Sequence, residues 1–102
     1  MPIIKRLNVN TFTNEQDNDA FIAELTEIWQ KWSGPKSPSK ISVDINKDRN
    51  NPLRMTAFVT IEGEDAMLAV NEWSKSVVLP TRNRYKHENT MIDADLVATI
   101  KK

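Results

Sequence analysis

The stretch LRMTAFVTIEGEDAMLAVNEW, residues 53–73, contains the change in hydrophobic period that decides the fold. Its first half alternates apolar residues with others, which predicts a strand with one buried face. The inward positions of this strand are Met55, Ala57, Val59 and Ile61. After Glu64 and Asp65, apolar residues recur at helical spacing, which predicts a helix over residues 64–78. Its inner face comprises Ala66, Ala69 or Val70, Trp73 and Val77.

Upstream, the chain contains the same two patterns. Residues 3–12 alternate and predict a first strand, whose Leu7 and Val9 we expect to face the core. Apolar residues then recur at steps of four, three and four, which predicts a long helix over residues 14–33. These residues are Phe21, Leu25, Ile28 and Trp32.

Both helices carry signals at their ends. Thr13 and Gln16 have the spacing of a capping box at the start of the first helix. Gly34, followed by Pro35, predicts where that helix stops. Pro80 predicts the end of the second helix.

Two further strands complete the pattern. Ile41, Val43 and Ile45 alternate with polar residues, and a fourth strand is predicted in TMIDADLVATI, residues 90–100, after the polar connection TRNRYKHEN. The order is βαββαβ. Right-handed crossovers then give an α+β ferredoxin-like plait, an antiparallel four-stranded sheet with two helices on one face. We expect a single domain over residues 1–102.

Composition restricts the functions open to the chain. Its 14 basic and 14 acidic residues give a net charge of zero, so no overall field attracts nucleic acid or an anionic membrane. With no cysteine, two glycines and one histidine, we predict no metal and no organic cofactor. The N-terminal residues lack the apolar run of a signal peptide, and no segment has the length of a membrane span. We therefore expect a cytoplasmic protein.

One face of the sheet is bare in this fold, and whatever covers it bears on function. With Leu7 and Val9 inward, the bare face should carry the alternate residues of the first three strands. These are Arg6, Asn8, Asn10, Ser42, Asp44, Asn46, Thr56, Phe58 and Thr60.

The segment RMTAFVTI, residues 54–61, resembles the third-strand motif of RNA-recognition-motif domains. The matching residues are Arg54, Ala57, Phe58 and Val59. Thr56 and Ile61 stand where the motif has stacking aromatics, each of which contributes about 1–3 kcal/mol per base. The resemblance implies a module that binds single-stranded RNA as an alternative function.

The overall layout, with a long first helix, the Glu72–Trp73 pair and an extended tail, resembles the dimeric α/β-barrel group of ferredoxin-like proteins. That group includes the antibiotic-biosynthesis-monooxygenase-like proteins. The resemblance implies a small soluble homodimer of unassigned role, joined through or beside the bare face, that binds a hydrophobic or aromatic molecule between sheet and helices. A cofactor-independent monooxygenase is the enzymatic alternative. The expected interface residues are Phe58, Ile4, Phe12 and, if the last strand has that phase, Met91.

Aromatic and basic residues are candidates for the ligand site. Trp29, Trp32 and Trp73 lie on inward helix faces, where they either line a pocket or fill the core. The basic cluster around Tyr85 either binds an anion or is solvated. The predicted ligand-binding residues are Trp29, Trp73, Tyr85, Arg82 and Arg84.

Asn8, Trp73 and His87 are similar to the Asn, Trp and His of haem-degrading members of the monooxygenase-like group, which implies a candidate catalytic set. His87 is predicted in a loop beyond Pro80, where a lone histidine is ordinarily solvated.

Overall fold

Four strands and two long helical segments follow one another in the predicted order in a computed structural model that describes residues 2–32 and 40–102. The elements are β1 (Ile3–Phe12), α1 (Glu15–Gln30), β2 (Ile41–Lys47), β3 (Arg54–Glu62), α2 (Glu64–Trp73), a π-helical segment (Ser74–Val78), α3 (Leu79–Arg82) and β4 (His87–Asp95). The strands form one antiparallel sheet in the order β2-β3-β1-β4. The predicted ferredoxin-like plait is confirmed.

The core lies between one face of the sheet and the helices. One cluster consists of Phe12, Phe21, Leu25, Met55 and Ala57, and a second of Val59, Ile61, Ala66 and Val70. Residues of α1 thus pack on one end of β3 and residues of α2 on the other. Both helices cover the same face, and the inward residues of β2 and β3 are those predicted.

The face of β1 that packs against the helices is the opposite of the predicted one. Arg6 and Asn10 are buried, with Arg6 opposite Val59 and Asn10 opposite Met55. Opposed residues of antiparallel strands share a face, and Val59 and Met55 belong to the core. The even-numbered residues of β1, including Asn8, therefore lie on the helix side. Their predicted place on the bare face is wrong.

Leu7 and Val9 accordingly lie on the bare face and not in the core. Leu7 is opposite Phe58 on one side and Ile92 on the other. The apolar pattern does not determine the phase of β1, because both alternate sets contain apolar residues. Hydrogen bonding decides it, since the buried polar residues find partners on β4 and α2.

α1 starts one residue later than the capping box predicts. Asn14, not Thr13, is the N-cap, and its side-chain oxygen accepts a hydrogen bond from the Asp17 backbone N–H at 2.8 Å. The helix ends at Gln30. The two predicted stop signals, Gly34 and Pro35, lie outside the described residues.

The second helix continues through Pro80, where the sequence predicts its end. In the π-helical segment the backbone widens, and the Leu79 N–H bonds to the Ser74 carbonyl. Pro80 then stands in the first turn of α3, where a missing N–H is tolerated. The helical path therefore extends to Arg82 and brings that side chain against the sheet.

β4 spans His87–Asp95 and not the predicted residues 90–100. Its register with β1, from Phe12 opposite His87 to Ile4 opposite Asp95, sets these bounds. His87 therefore belongs to a strand, which corrects its predicted place in a loop.

Candidate binding groove

A groove opens between the β1–β4 edge of the sheet and the helical path that follows α2. Its volume is about 320 Å³, near the lower end of the range for small-molecule sites. Its polar lining residues are Arg6, Asn8, Asn71, Ser74, Lys75, Arg82 and Asn89. The apolar part of the wall consists of Val78, Leu79 and Met91. No Asp or Glu is among these described lining residues.

A smaller cavity of about 30 Å³ continues from the groove toward the core. The two spaces share Arg6, Asn8, Ser74, Val78 and Arg82. The deeper wall consists of Asn10 and of the apolar residues Phe21, Leu25, Trp29, Ala57, Val59 and Val70. Such a volume holds roughly one or two water molecules. The groove thus narrows to a small inner space, and polar and apolar side chains lie side by side in both.

Arg6 joins the sheet to α2 at this site. Its Nε and Nη2 donate to the two carboxylate oxygens of Asp93 at 2.7 and 3.0 Å, and its Nη1 donates to Asn71 Oδ1 at 2.9 Å. The hydrogen bond and charge of Arg6 lower the pKa of Asp93. Because Asp93 neutralises Arg6, this cation already has its partner.

Three asparagines form a polar cluster beside Arg6. Asn89 Nδ2 donates to Asn10 Oδ1 at 2.7 Å and to Asn8 Oδ1 at 3.2 Å. The Asn8 oxygen is therefore occupied, whereas its Nδ2 makes no hydrogen bond within the described residues. Asn8 lines both the groove and the inner cavity, so its amide can donate to a bound molecule.

Arg82 differs from Arg6 because no acidic side chain in residues 2–32 and 40–102 forms an ion pair with it. Its Nε is buried without a hydrogen-bond partner in the same part of the chain. Burial lowers the pKa of the guanidinium, yet an arginine stays charged at neutral pH. Arg82 therefore contributes a positive charge without an acidic partner in the described residues to the groove.

The predicted tryptophans form one aromatic cluster. The ring centroids of Trp29 and Trp32 are 5.4 Å apart, and Trp73 lies 5.5 Å from Trp32 and 6.5 Å from Trp29. Trp29 reaches the inner cavity, whereas Trp73 lines neither space. Of the two tryptophans predicted to bind ligand, the structure places one at the site.

The basic cluster of the sequence is divided between two sides of the molecule. Arg82 lines the groove, but Arg84 forms an ion pair with Glu24 on α1. The Tyr85 hydroxyl donates to the same Glu24 carboxylate at 2.5 Å, and this hydrogen bond raises the pKa of Tyr85. Arg84 and Tyr85 thus bind α1 and do not face the groove.

The candidate catalytic residues Asn8, Trp73 and His87 are not brought together. His87 lies opposite Phe12 in the sheet, four residues along β1 from Asn8, a separation of about 13 Å at ordinary strand rise. The His87 ring lies 5.8 Å from the Phe12 ring, and its Nδ1 lies 2.7 Å from the Tyr85 carbonyl oxygen. Only Asn8 of the three lines the groove.

The predicted interface residues lie on different faces. Phe58 is on the bare face and 46% exposed. Phe12 is in the core and Ile4 packs against the second core cluster, so neither lies on the bare face. Met91 is opposite Asn8 and lines the groove.

A row of apolar side chains nevertheless crosses the bare face. Phe58, Leu7 and Ile92 are neighbours on β3, β1 and β4, and Ile92 is 53% exposed. Val9 adds apolar surface on β1. The correct phase of β1 therefore makes this face more apolar than the sequence predicts.

Several groove residues escaped sequence reasoning. They are Asn10, Asn71, Ser74, Lys75 and Asn89. Had β1 been assigned the opposite phase, Arg6 and Asn10 would be buried polar residues, which need hydrogen-bond partners. A search for those partners is the signal in the sequence that points to the polar residues of the site.

Residues 2–32 and 40–102 contain no group of three or more His, Cys, Asp or Glu side chains placed to hold a metal ion. No helix in that part of the chain is both long and apolar enough to cross a membrane.

No family model matches the chain, and no curated protein matches it. Among solved structures, it is similar to a dimeric ferredoxin-like protein from an uncultured marine organism, with a TM-score of 0.77, 12% identity, and coverage of 98% of this chain and 100% of that one. It is also similar to an antibiotic biosynthesis monooxygenase, with a TM-score of 0.61, 16% identity, and coverage of 92% of this chain and 99% of that one. A third similar structure is SnoaB, a cofactor-independent oxygenase from Streptomyces nogalater, with a TM-score of 0.56, 11% identity, and coverage of 88% of this chain and 90% of that one. The fold is ferredoxin-like. These structures belong to the kinds of protein that the sequence resembles, dimeric ferredoxin-like and antibiotic-biosynthesis-monooxygenase-like. At sequence identities this low, the similarity shows the fold alone.

Proposed function

We propose that this protein is a homodimer that binds a small, partly apolar molecule in the groove between the sheet and the helical path after α2. The observation that carries the proposal is the groove itself, in which a few hydrogen-bond donors lie beside apolar walls. Ligand sites combine these features, because apolar walls supply affinity and a few polar groups fix orientation.

The lining favours binding over general acid–base catalysis. Its charged members are Arg6, Lys75 and Arg82, and no Asp, Glu or His is among the described lining residues. An arginine does not give up its proton in proteins, and Asp93 holds Arg6 in place. The described lining residues therefore offer mainly hydrogen-bond donors, with Lys75 as their one titratable amine.

Association through the bare face is supported by the apolar row of Phe58, Leu7 and Ile92. Exposed apolar surface of this kind marks an interaction site. Apolar side chains after β4 are also exposed, Val97 at 94% and Ile100 at 80%. A second copy of the chain offers the same apolar row, so the face can pack on itself about a two-fold axis.

The groove is tested by filling it. Thermal-shift measurements with a library of one- and two-ring organic molecules should identify compounds that raise the Tm, since ligands stabilise the folded state that binds them. Val78→Trp places an indole in the groove wall and should abolish these shifts.

Leu68→Trp is the matched control, because Leu68 lies on α2 but is 66% exposed and lines neither space. This variant should keep every shift. A library without a single stabilising compound, or compounds that bind Val78→Trp unchanged, would contradict a ligand site in the groove.

A further inference from the structure

We infer that the ligand of this groove is a small organic anion, a carboxylate or similar acid group on an apolar ring body, and that Arg82 is the residue that binds the acid group. The inference deepens the proposed function and rests on it.

The charge of the groove carries the first step. The chain as a whole has a net charge of zero, yet the lining includes three cations and no described Asp or Glu. Asp93 neutralises Arg6 by a two-point ion pair. Lys75 and Arg82 have no ion-pair partner in the part of the chain that the structure describes. The groove is therefore locally positive on a neutral protein, and it attracts an anion.

The burial of Arg82 carries the second step. A solvated surface arginine satisfies its N–H groups with water, but Arg82 Nε is buried without a partner in the described residues. Nε itself is too buried for a ligand to touch, but the side chain is only half-buried and makes no hydrogen bond in the described residues, so an acid group would bind its terminal N–H groups. Guanidinium and carboxylate also match in geometry, since two parallel N–H groups meet two oxygens. The same pairing already occurs beside this groove, between Arg6 and Asp93.

Neighbouring side chains define the rest of the ligand. Asn8 Nδ2, unused within the described residues, offers a second donor on the sheet side. Val78, Leu79 and Met91 provide an apolar wall beside these donors. A volume of about 320 Å³ matches a small molecule. The chemistry is that of a one- or two-ring acid.

The test compares acids with uncharged amides of nearly the same shape. The probes are benzoate, 1-naphthoate, 2-naphthoate and indole-3-acetate, each paired with its primary amide. Binding to the full-length protein is measured by chemical-shift titration, which reports both affinity and the residues affected. At least one acid should bind about tenfold to hundredfold more tightly than its amide and should shift groove amides.

Arg82→Gln should bring the acid and its amide to similar affinities, and Arg82→Lys should keep part of the preference. Arg84→Gln is the matched control, because Arg84 pairs with Glu24 away from the groove, and it should leave the preference unchanged. The amide spectrum of each variant shows whether it folds.

The outcomes separate the inference from the proposed function. Equal binding of acids and amides in the groove would overturn the anionic ligand and leave the binding function standing. A preference for acids that persists in Arg82→Gln would overturn the role of Arg82. Absence of binding by all eight probes would overturn the inference. The broader thermal-shift library then tests separately whether the groove binds any small molecule.

Discussion

Arg6 shows how a single residue settles the phase of a strand. A guanidinium is costly to bury, and here the side chain is 8% exposed. It is stable in that position because Asp93 on β4 and Asn71 on α2 accept its hydrogen bonds. One side chain thus ties together the central strand, an edge strand and a helix.

Asp93→Asn should lower the free energy of unfolding by about 2 kcal/mol at neutral pH, less than for a fully buried pair because Asp93 is partly exposed. The pKa of Asp93 is lowered in the folded state, so its contribution is present above the ordinary carboxylate pKa of about 3.9 and is lost as pH falls through the lowered value. Urea unfolding at a series of pH values should therefore show the two proteins converging in acid.

Asp95→Asn is the control, since Asp95 lies on the same face of β4 opposite Ile4 and forms no ion pair in the described residues. It should change stability by less than about 0.5 kcal/mol. An Asp93→Asn variant as stable as the parent at neutral pH would show that the ion pair contributes nothing.

The limits of sequence reasoning are clearest in the same residues. β3 alternates cleanly, so Val59 and Phe58 were assigned to the correct faces. In β1 the apolar residues are spread over both faces, and the decisive partner, Asp93, lies 87 positions away in the chain. Hydrophobic period predicts which elements form, but it cannot predict a pairing between distant polar groups. The sequence therefore predicts a ligand site between sheet and helices but not the contribution of Arg6, Asn71 and Asn89 to it.

At the scale of elements, the sequence predicts that a helix forms better than it predicts where the helix begins and ends. Position and type of α1 follow from its apolar spacing, whereas its exact start depends on which of two adjacent polar residues caps it. Asn14→Ala should cost about 1 kcal/mol, because it removes the acceptor of the Asp17 N–H. Thr13→Ala should cost less than about 0.5 kcal/mol. Chemical denaturation of both variants measures the difference, and a larger loss in Thr13→Ala would restore the predicted capping box.

The helical path after α2 determines the groove. Had the helix ended before Pro80, Arg82 would lie in a connection beyond the sheet. The π-helical segment adds room to the helical turn just before the proline. Ser74, Val78 and Arg82 follow one another at steps of four along this path and line one wall. π-helical turns frequently occur at functional sites, which agrees with the groove as the binding site.

At the scale of the whole molecule, the bare face should decide the oligomeric state. Light scattering should give roughly twice the mass of one chain, and Phe58→Asp should shift the protein toward monomer, because a buried charge at an interface centre has no partner. Leu68→Asp adds the same charge on the exposed side of α2 and should leave the dimer intact. A parent protein that stays monomeric at all concentrations would refute the dimer.

β4 is an edge strand whose two faces serve different purposes. Asn89, Met91 and Asp93 point to the groove side, while Ile92 belongs to the bare face between them. Apart from His87, every residue of this strand is exposed, so its hold on the rest of the molecule depends on β1 alone. Packing of a second copy against Ile92 would steady the strand that carries one wall of the groove. Association and ligand binding would then be thermodynamically linked, each strengthening the other by the same factor.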